Sequence, residues 1–176
     1  MAEEGGDFSY RIMTWEFAVR DLLAPRRKIL EEAGISPGFH VLDFGCGPGS
    51  YVPDTSEMVG ISGRVYALDV HPMAVQKVKR LVEKKGMSNV EIIQSDCATG
   101  LENHSVDVVL LYDTFHDLNK AQEILAELHR VLKPDGKLSF SDHHLKEDAI
   151  VSGVAGGGLF RLVWKNRKTY TFCPSR

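Results

Sequence analysis

The sequence predicts an α/β domain on a mostly parallel sheet that ends in an antiparallel hairpin, and three observations carry that prediction. Short β-rich runs at 39–44, 64–69, 90–94, 106–112 and 137–142 alternate with segments of helical spacing. Strand and helix repeated in this way imply right-handed crossovers and a parallel sheet covered on both faces. Two more β-rich runs, 159–165 and 168–173, are separated only by Asn166-Arg167, a gap that allows only an antiparallel hairpin. A length of 176 residues, 43% hydrophobic and 26% charged, fits one domain and excludes disordered, collagen-like and fibrous readings.

Residues 8–33 read as two helices, split near Pro25 and ended at Gly34, giving a helical cap over 1–33 before a core over 34–176. Phe8, Tyr10, Met13, Trp15 and Phe17 make the first of them unusually aromatic. It is either a helix packed on the sheet or a flap in which Tyr10, Met13 and Trp15 close over a ligand. Ala74, Val78, Leu81 and Val82 mark one helix, with Pro72 at its start and Gly86 at its end. Ile124, Leu128, Val131 and Leu132 mark another, and Lys133-Pro134-Asp135-Gly136 stops it and turns the chain. The longest apolar run, Val106 to Tyr112, contains Asp107 and is too short to cross a bilayer. The acidic first residues are no secretory signal, and three scattered cysteines fit free thiols, so a cytoplasmic location is expected. Lys plus Arg number 21 against 24 Asp plus Glu, a net charge of −3, so no nucleic-acid partner is expected.

The segment Val41-Leu42-Asp43-Phe44-Gly45-Cys46-Gly47-Pro48-Gly49-Ser50 leaves a buried strand and enters a helix. Its alternate glycines allow a sharp turn and let a ligand lie against bare backbone, at the sheet edge where open α/β folds bind ligands. A dinucleotide fingerprint would place the third glycine one residue later, and a phosphate-binding loop would need a lysine. What stands there instead is Asp43, which repels a pyrophosphate and welcomes an ammonium group. Asp69 closes the second strand, where a carboxylate can accept both hydroxyls of a ribose. Asp96 follows the third strand and can accept an adenine amine, with the next backbone amide on a ring nitrogen. Together the three acids describe a ligand with an amino acid end, a ribose and an adenine.

These motifs resemble the class I S-adenosylmethionine-dependent methyltransferases, in particular the small-molecule group that includes the ubiquinone- and menaquinone-biosynthesis enzymes. The likeness runs from about Ile35 to the end and is strongest at Val41–Ser50, Val65–His71, Ser95–Ala98 and Leu128–Phe140. It implies a Rossmann-like, doubly wound sheet of seven strands with the last strand antiparallel, and S-adenosylmethionine as cofactor, released as S-adenosylhomocysteine. It further implies that Asp43 with Gly45, Cys46, Gly47 and Gly49 holds the methionine part, Asp69 and Val70 the ribose side, Asp96 with Cys97 the adenine, and Tyr112 the end of the fourth strand beside the donor.

In this likeness the fourth strand ends at the transferable methyl, and here it reads Asp113-Thr114-Phe115-His116. Nucleic-acid amino methyltransferases carry an Asn or Asp, two prolines and an aromatic residue at that place, so this subclass is disfavoured. His116 is the candidate base, with Asp113 and Asp142 behind it; the other reading is a histidine that caps a helix or makes a hydrogen bond. Asp142-His143-His144 lacks a second cluster at ligand spacing and reads as structural or substrate-orienting, so no metal is expected. The expected function is methyl transfer to a small-molecule acceptor. A donor-binding sensor or partner subunit without catalysis is the alternative, and a Rossmann dehydrogenase stands third.

Overall fold

The computed structural model describes residues 26–175. The first helix expected before Pro25 and the flap residues Tyr10, Met13 and Trp15 fall outside them, while the second helix, expected between Pro25 and Gly34, falls within them. The described chain begins with α1 (Arg26–Glu32) and continues through β1 (His40–Phe44), α2 (Val52–Val59), β2 (Arg64–Asp69), α3 (Pro72–Lys85) and β3 (Val90–Gln94). After β4 (Val106–Tyr112) come a 3-10 turn (Phe115–Asp117), α4 (Ala121–Val131), β5 (Leu132–Ser141), α5 (Glu147–Ala155), β6 (Phe160–Lys165) and β7 (Tyr170–Pro174). The seven strands form one sheet in the order β3-β2-β1-β4-β5-β7-β6. Pairings from β3 through β5 are parallel, and β7 runs antiparallel to both β5 and β6. This is the Rossmann-like, seven-stranded sheet that the sequence motifs imply. Strand order reverses between β1 and β4, and the crevice outside that point is where such sheets bind ligands.

Alternation along the central strands feeds two cores. Val41, Val65, Val108 and Leu110 face one side, against Leu30 and Ala33 from the α1 region and Val59 of α2. Val78 of α3 packs beside them with Val52 and Ala67. On the opposite side Leu42, Val109, Leu111, Leu138 and Phe140 meet Ile124, Leu125 and Leu128 of α4 and Ile150 and Val154 of α5. Strands buried on both faces read as continuous apolar runs, and β4 has that form.

Two expectations need correcting. No helix joins β3 to β4 among the described residues, because Ser95–Ser105 contains no run long enough to carry an apolar stripe. The chain also does not leave the sheet at Lys133–Gly136. Leu132 already pairs with Val106, and pairing resumes at Val108 with Lys137, so the expected turn is a protrusion inside β5. Asp107, the one residue of β4 spanning that irregularity, accepts Lys133 Nζ at 2.5 Å and the His40 amide at 2.8 Å. A Cβ on Gly136 would stand 2.8 Å from the Leu132 side chain and 3.1 Å from the Asp107 carbonyl, so only glycine fits the fold-back.

Candidate functional site

The glycine loop is held by its neighbours rather than by its own turn alone. The amides of Gly45 and Cys46 both donate to the Leu68 carbonyl, at 2.8 and 2.9 Å. Gly45 has φ +77°, and a Cβ there would lie 2.5 Å from Thr114 Oγ1, so neither the backbone nor the space admits another residue. Gly47 also has a positive φ, but nothing lies within 4 Å of the place its Cβ would occupy. That position is open toward the crevice. Asp69 clamps the loop: one carboxylate oxygen accepts the Gly47 amide and the other accepts the His71 amide, each at 2.8 Å.

Two adjoining cavities open here. The larger, about 370 Å³, is lined by Phe44, Leu68, Asp69, Val70, Ser95, Asp96, Thr114, Asp117, Leu118, Asn119, Lys120 and Ile124, and by Gly45, Gly47 and Asp113. The smaller, about 40 Å³, is lined by Asp43, Cys46, Pro48, Ser50, Tyr51 and Tyr112, and by the same Gly45, Gly47 and Asp113. Asp113 therefore stands at their junction. Asp43 is buried, and its Oδ2 has no hydrogen-bond partner. Burial, reinforced by the nearby Asp69 charge, pushes its carboxyl from 3.8 up to about 7. A buried carboxylate with an unpartnered oxygen, on a residue lining a small pocket, fits an ammonium group, which would supply both the missing hydrogen bond and the countercharge. The Cys46 thiol is also pushed up by burial and by the Asp43 and Asp69 charges, so it is no nucleophile.

Of the predicted site residues, Asp43, Gly45, Cys46, Gly47, Asp69, Val70, Asp96, Tyr112 and Asp113 line these cavities. Gly49, Cys97 and the candidate base His116 do not. A Cβ on Gly49 would meet Val78 at 3.0 Å, so this glycine serves close packing of the loop on α3. The Cys97 amide donates to Ser95 Oγ at 3.2 Å. Asp96 forms an exposed ion pair with Lys120 at 3.4 Å. Sequence reasoning missed Thr114, Leu118 and Asn119, whose only signal was their place just after β4. Tyr112 is buried and hydrogen-bonded to Ser139 at 2.7 Å, and burial pushes its phenol up, so it acts as wall and not as acid or base.

Beyond Asp113 the loops after β4 and β5 exchange partners. Asp113, at φ +49°, accepts the His143 amide at 3.1 Å and its Nδ1 at 2.7 Å. Asp142 accepts the His116 amide at 3.1 Å, its Nδ1 at 2.9 Å, and the His144 amide at 3.1 Å. The His144 ring lies between the other two, with centroids 4.1 Å from His116 and 3.8 Å from His143. Against an ionised carboxylate a histidine donates through Nδ1 and keeps its basic lone pair on Nε2. The His116 Nε2 is 3.4 Å from Asp117. No group able to hold a metal ion occurs among the described residues.

The model of the family described as a methyltransferase domain matches residues 42–140, from the β1 strand through the β5 strand. The chain belongs to the methyltransferase-domain family. It is 32% identical over 114 residues to the demethylmenaquinone methyltransferase of Lactococcus lactis, covering 64% of this chain and 45% of that protein. It is 33% identical over 148 residues to the protein-L-isoaspartate O-methyltransferase of Pyrococcus horikoshii, covering 83% of this chain and 63% of that one. The chain thus spans less than two thirds of either relative's length. Among solved structures, an S-adenosylmethionine-dependent methyltransferase from Aquifex aeolicus superposes with a TM-score of 0.75 at 31% identity, over 84% of this chain and 86% of that one. S-adenosylmethionine is the methyl donor of this family.

Proposed function

We propose that this chain transfers a methyl group from S-adenosylmethionine to a small-molecule acceptor. The observation that carries the reading is the unpartnered buried Asp43 oxygen, set in a small cavity that meets a larger one at Gly45, Gly47 and Asp113. Bound there, the donor would supply an electrophilic methyl on a sulfonium centre. In this reading Asp43 holds the amino acid end, with Gly45, Cys46 and Gly47 offering backbone. Asp69 keeps a lone pair on each oxygen for ribose hydroxyls beside Val70, and Asp96 takes the adenine side with Leu118 as an apolar wall. Cys97, with its amide turned to Ser95, supports Asp96 from behind, and Gly49 keeps the loop against α3.

The catalytic proposal centres on Asp113 and His116. Asp113 lies at the cavity junction, where the methyl and acceptor would meet, and His116 is aligned by Asp142 with its Nε2 as proton acceptor. Methyl transfer is an in-line displacement, so these residues would orient the acceptor, remove its proton where it has one, and keep water away. A small molecule suits this site because the described loops add no broad cationic surface around it, and the net charge of −3 speaks against a nucleic acid. No helix among the described residues is long and apolar enough to cross a membrane, and a cytoplasmic location belongs to the same proposal. Calorimetry should detect S-adenosylmethionine and S-adenosylhomocysteine but not NAD, and labelled donor should mark a metabolite in a mixed extract. Tight NAD binding overturns the donor assignment. Donor binding without any transfer would support the sensor reading instead.

A further inference from the structure

We infer that β6 and the turn after it form a docking ridge for an anionic lipid bilayer. β6 is the last strand in the sheet and pairs on one side only. Every residue from Arg161 to Lys165 is exposed, including Leu162, Val163 and Trp164, the last at 66%. Those three account for most of the large apolar side chains left in solvent among the described residues; Ile61 stands apart and Val70 lines the larger cavity. A contiguous apolar run on an open edge needs an explanation that scattered surface residues do not.

Charge says what covers it. The whole chain is net acidic at −3, yet no acidic residue follows Asp148, while Arg161, Lys165, Arg167 and Lys168 all do. Acids from packed elements reach the ridge at two points. Glu147 of α5 pairs with Lys165, and Glu32 of α1 accepts the backbone amides of Lys168 and Thr169. Arg161, Arg167 and Lys168 form no ion pair among the described residues and are exposed. Tryptophan and aliphatic side chains flanked by arginine and lysine match the boundary between acyl chains and anionic headgroups.

Geometry favours a bilayer over a second copy or another protein. Register shifts between Leu162 and Trp164, so Val163 bulges out of the ladder, and with the flanking cations this disrupts strand addition by a second chain. The patch is a ridge one strand wide, whereas a stable protein interface needs roughly 800 Å² per partner. The ridge also lies at the functional end of the sheet. Lys165 pairs with Tyr170, Tyr170 with Phe140, and Phe140 with Leu111, one residue short of the β4 end that leads into the site. Docking there brings the rim carrying Asp113 and His143 toward the bilayer.

The test uses the full chain with Trp15→Phe, which leaves Trp164 as the sole tryptophan. Vesicles of phosphatidylcholine, alone or with one third phosphatidylglycerol, are the probes. The expected result is co-sedimentation and a blue shift of Trp164 emission with anionic vesicles only, weakened by salt. Arg167→Gln with Lys168→Gln should lower the vesicle affinity roughly 25-fold, about fivefold per cation. Trp164→Ser, on a solvent-exposed strand, should also lower sedimentation while circular dichroism stays unchanged. A folded chain that ignores anionic vesicles, or binds both kinds equally, overturns the inference. So does dimerisation abolished by Trp164→Ser, which would make the ridge a self-contact.

Discussion

Asp43 is buried in the sheet, and its ionisation ties stability to ligand. Its carboxyl rises from 3.8 to about 7 through burial and the Asp69 charge. Between those values the folded state holds a proton that the unfolded chain lacks, so stability falls as pH rises through roughly 4 to 7 and is flat above. Asp43→Asn removes the titration. Its melting temperature should match the parent near pH 3, below both values, and exceed it increasingly up to pH 8, while donor binding is lost; thermal melts at both pH values and calorimetry at pH 8 check this. Because an ammonium ligand requires the ionised form, parent affinity for S-adenosylmethionine should rise about tenfold from pH 6 to pH 8. A flat profile would show that the donor's amino end binds elsewhere. Asp69→Ala should weaken donor binding by about 1–3 kcal/mol, since it removes the ribose acceptor and frees the Gly47 amide. The three acids and the glycine spacing were legible because each sits at a strand end. The reciprocal Asp–His bonds were not, since they depend on Tyr112 standing opposite Ser141, a register no local pattern encodes.

At the scale of elements, the junction of β1 and β4 depends on two glycines with different tasks. Gly45→Ala drives a Cβ into Thr114 at a positive φ and should cost more than about 2 kcal/mol in urea unfolding. Gly47→Ala meets no protein atom, so its stability loss should be no more than about 1 kcal/mol, with donor affinity falling more than stability does. Equal losses of stability in the two variants would contradict the division of labour. Most strands announce themselves by runs such as Val106–Tyr112, and α3 and α4 by their apolar stripes. β5 begins earlier than local signals indicate because Leu132 is claimed by Val106 across the ladder, and Pro134 and Gly136 punctuate a strand interior as strongly as a loop. The expected helix between β3 and β4 came from extending a repeat to a segment with no apolar periodicity of its own.

Across the whole molecule, distant chain segments are fastened by single carboxylates. Glu32 in α1 accepts the amides of Lys168 and Thr169 and the Thr169 hydroxyl, at 3.1, 3.0 and 2.9 Å. Glu32→Ala should destabilise the chain by about 1–3 kcal/mol, and hydrogen exchange should speed up first at 166–170, before the central strands. Uniform acceleration over the sheet would mean that the hairpin has no independent opening. The charge layout belongs to this scale as well: the acid-free stretch after Asp148 acquires meaning because β6 is the sheet edge.

The exchange of partners between Asp113 and His143, and between Asp142 and His116, makes the two loops interlocking halves of one clasp. Exchanging either loop alone would orphan an aspartate and a histidine of the loop that stays, the buried Asp142 with His143 in one case and Asp113 with His116 in the other. Retargeting this scaffold therefore demands transplanting both loops as a matched set, and a library that shuffles them independently should be dominated by misfolded members.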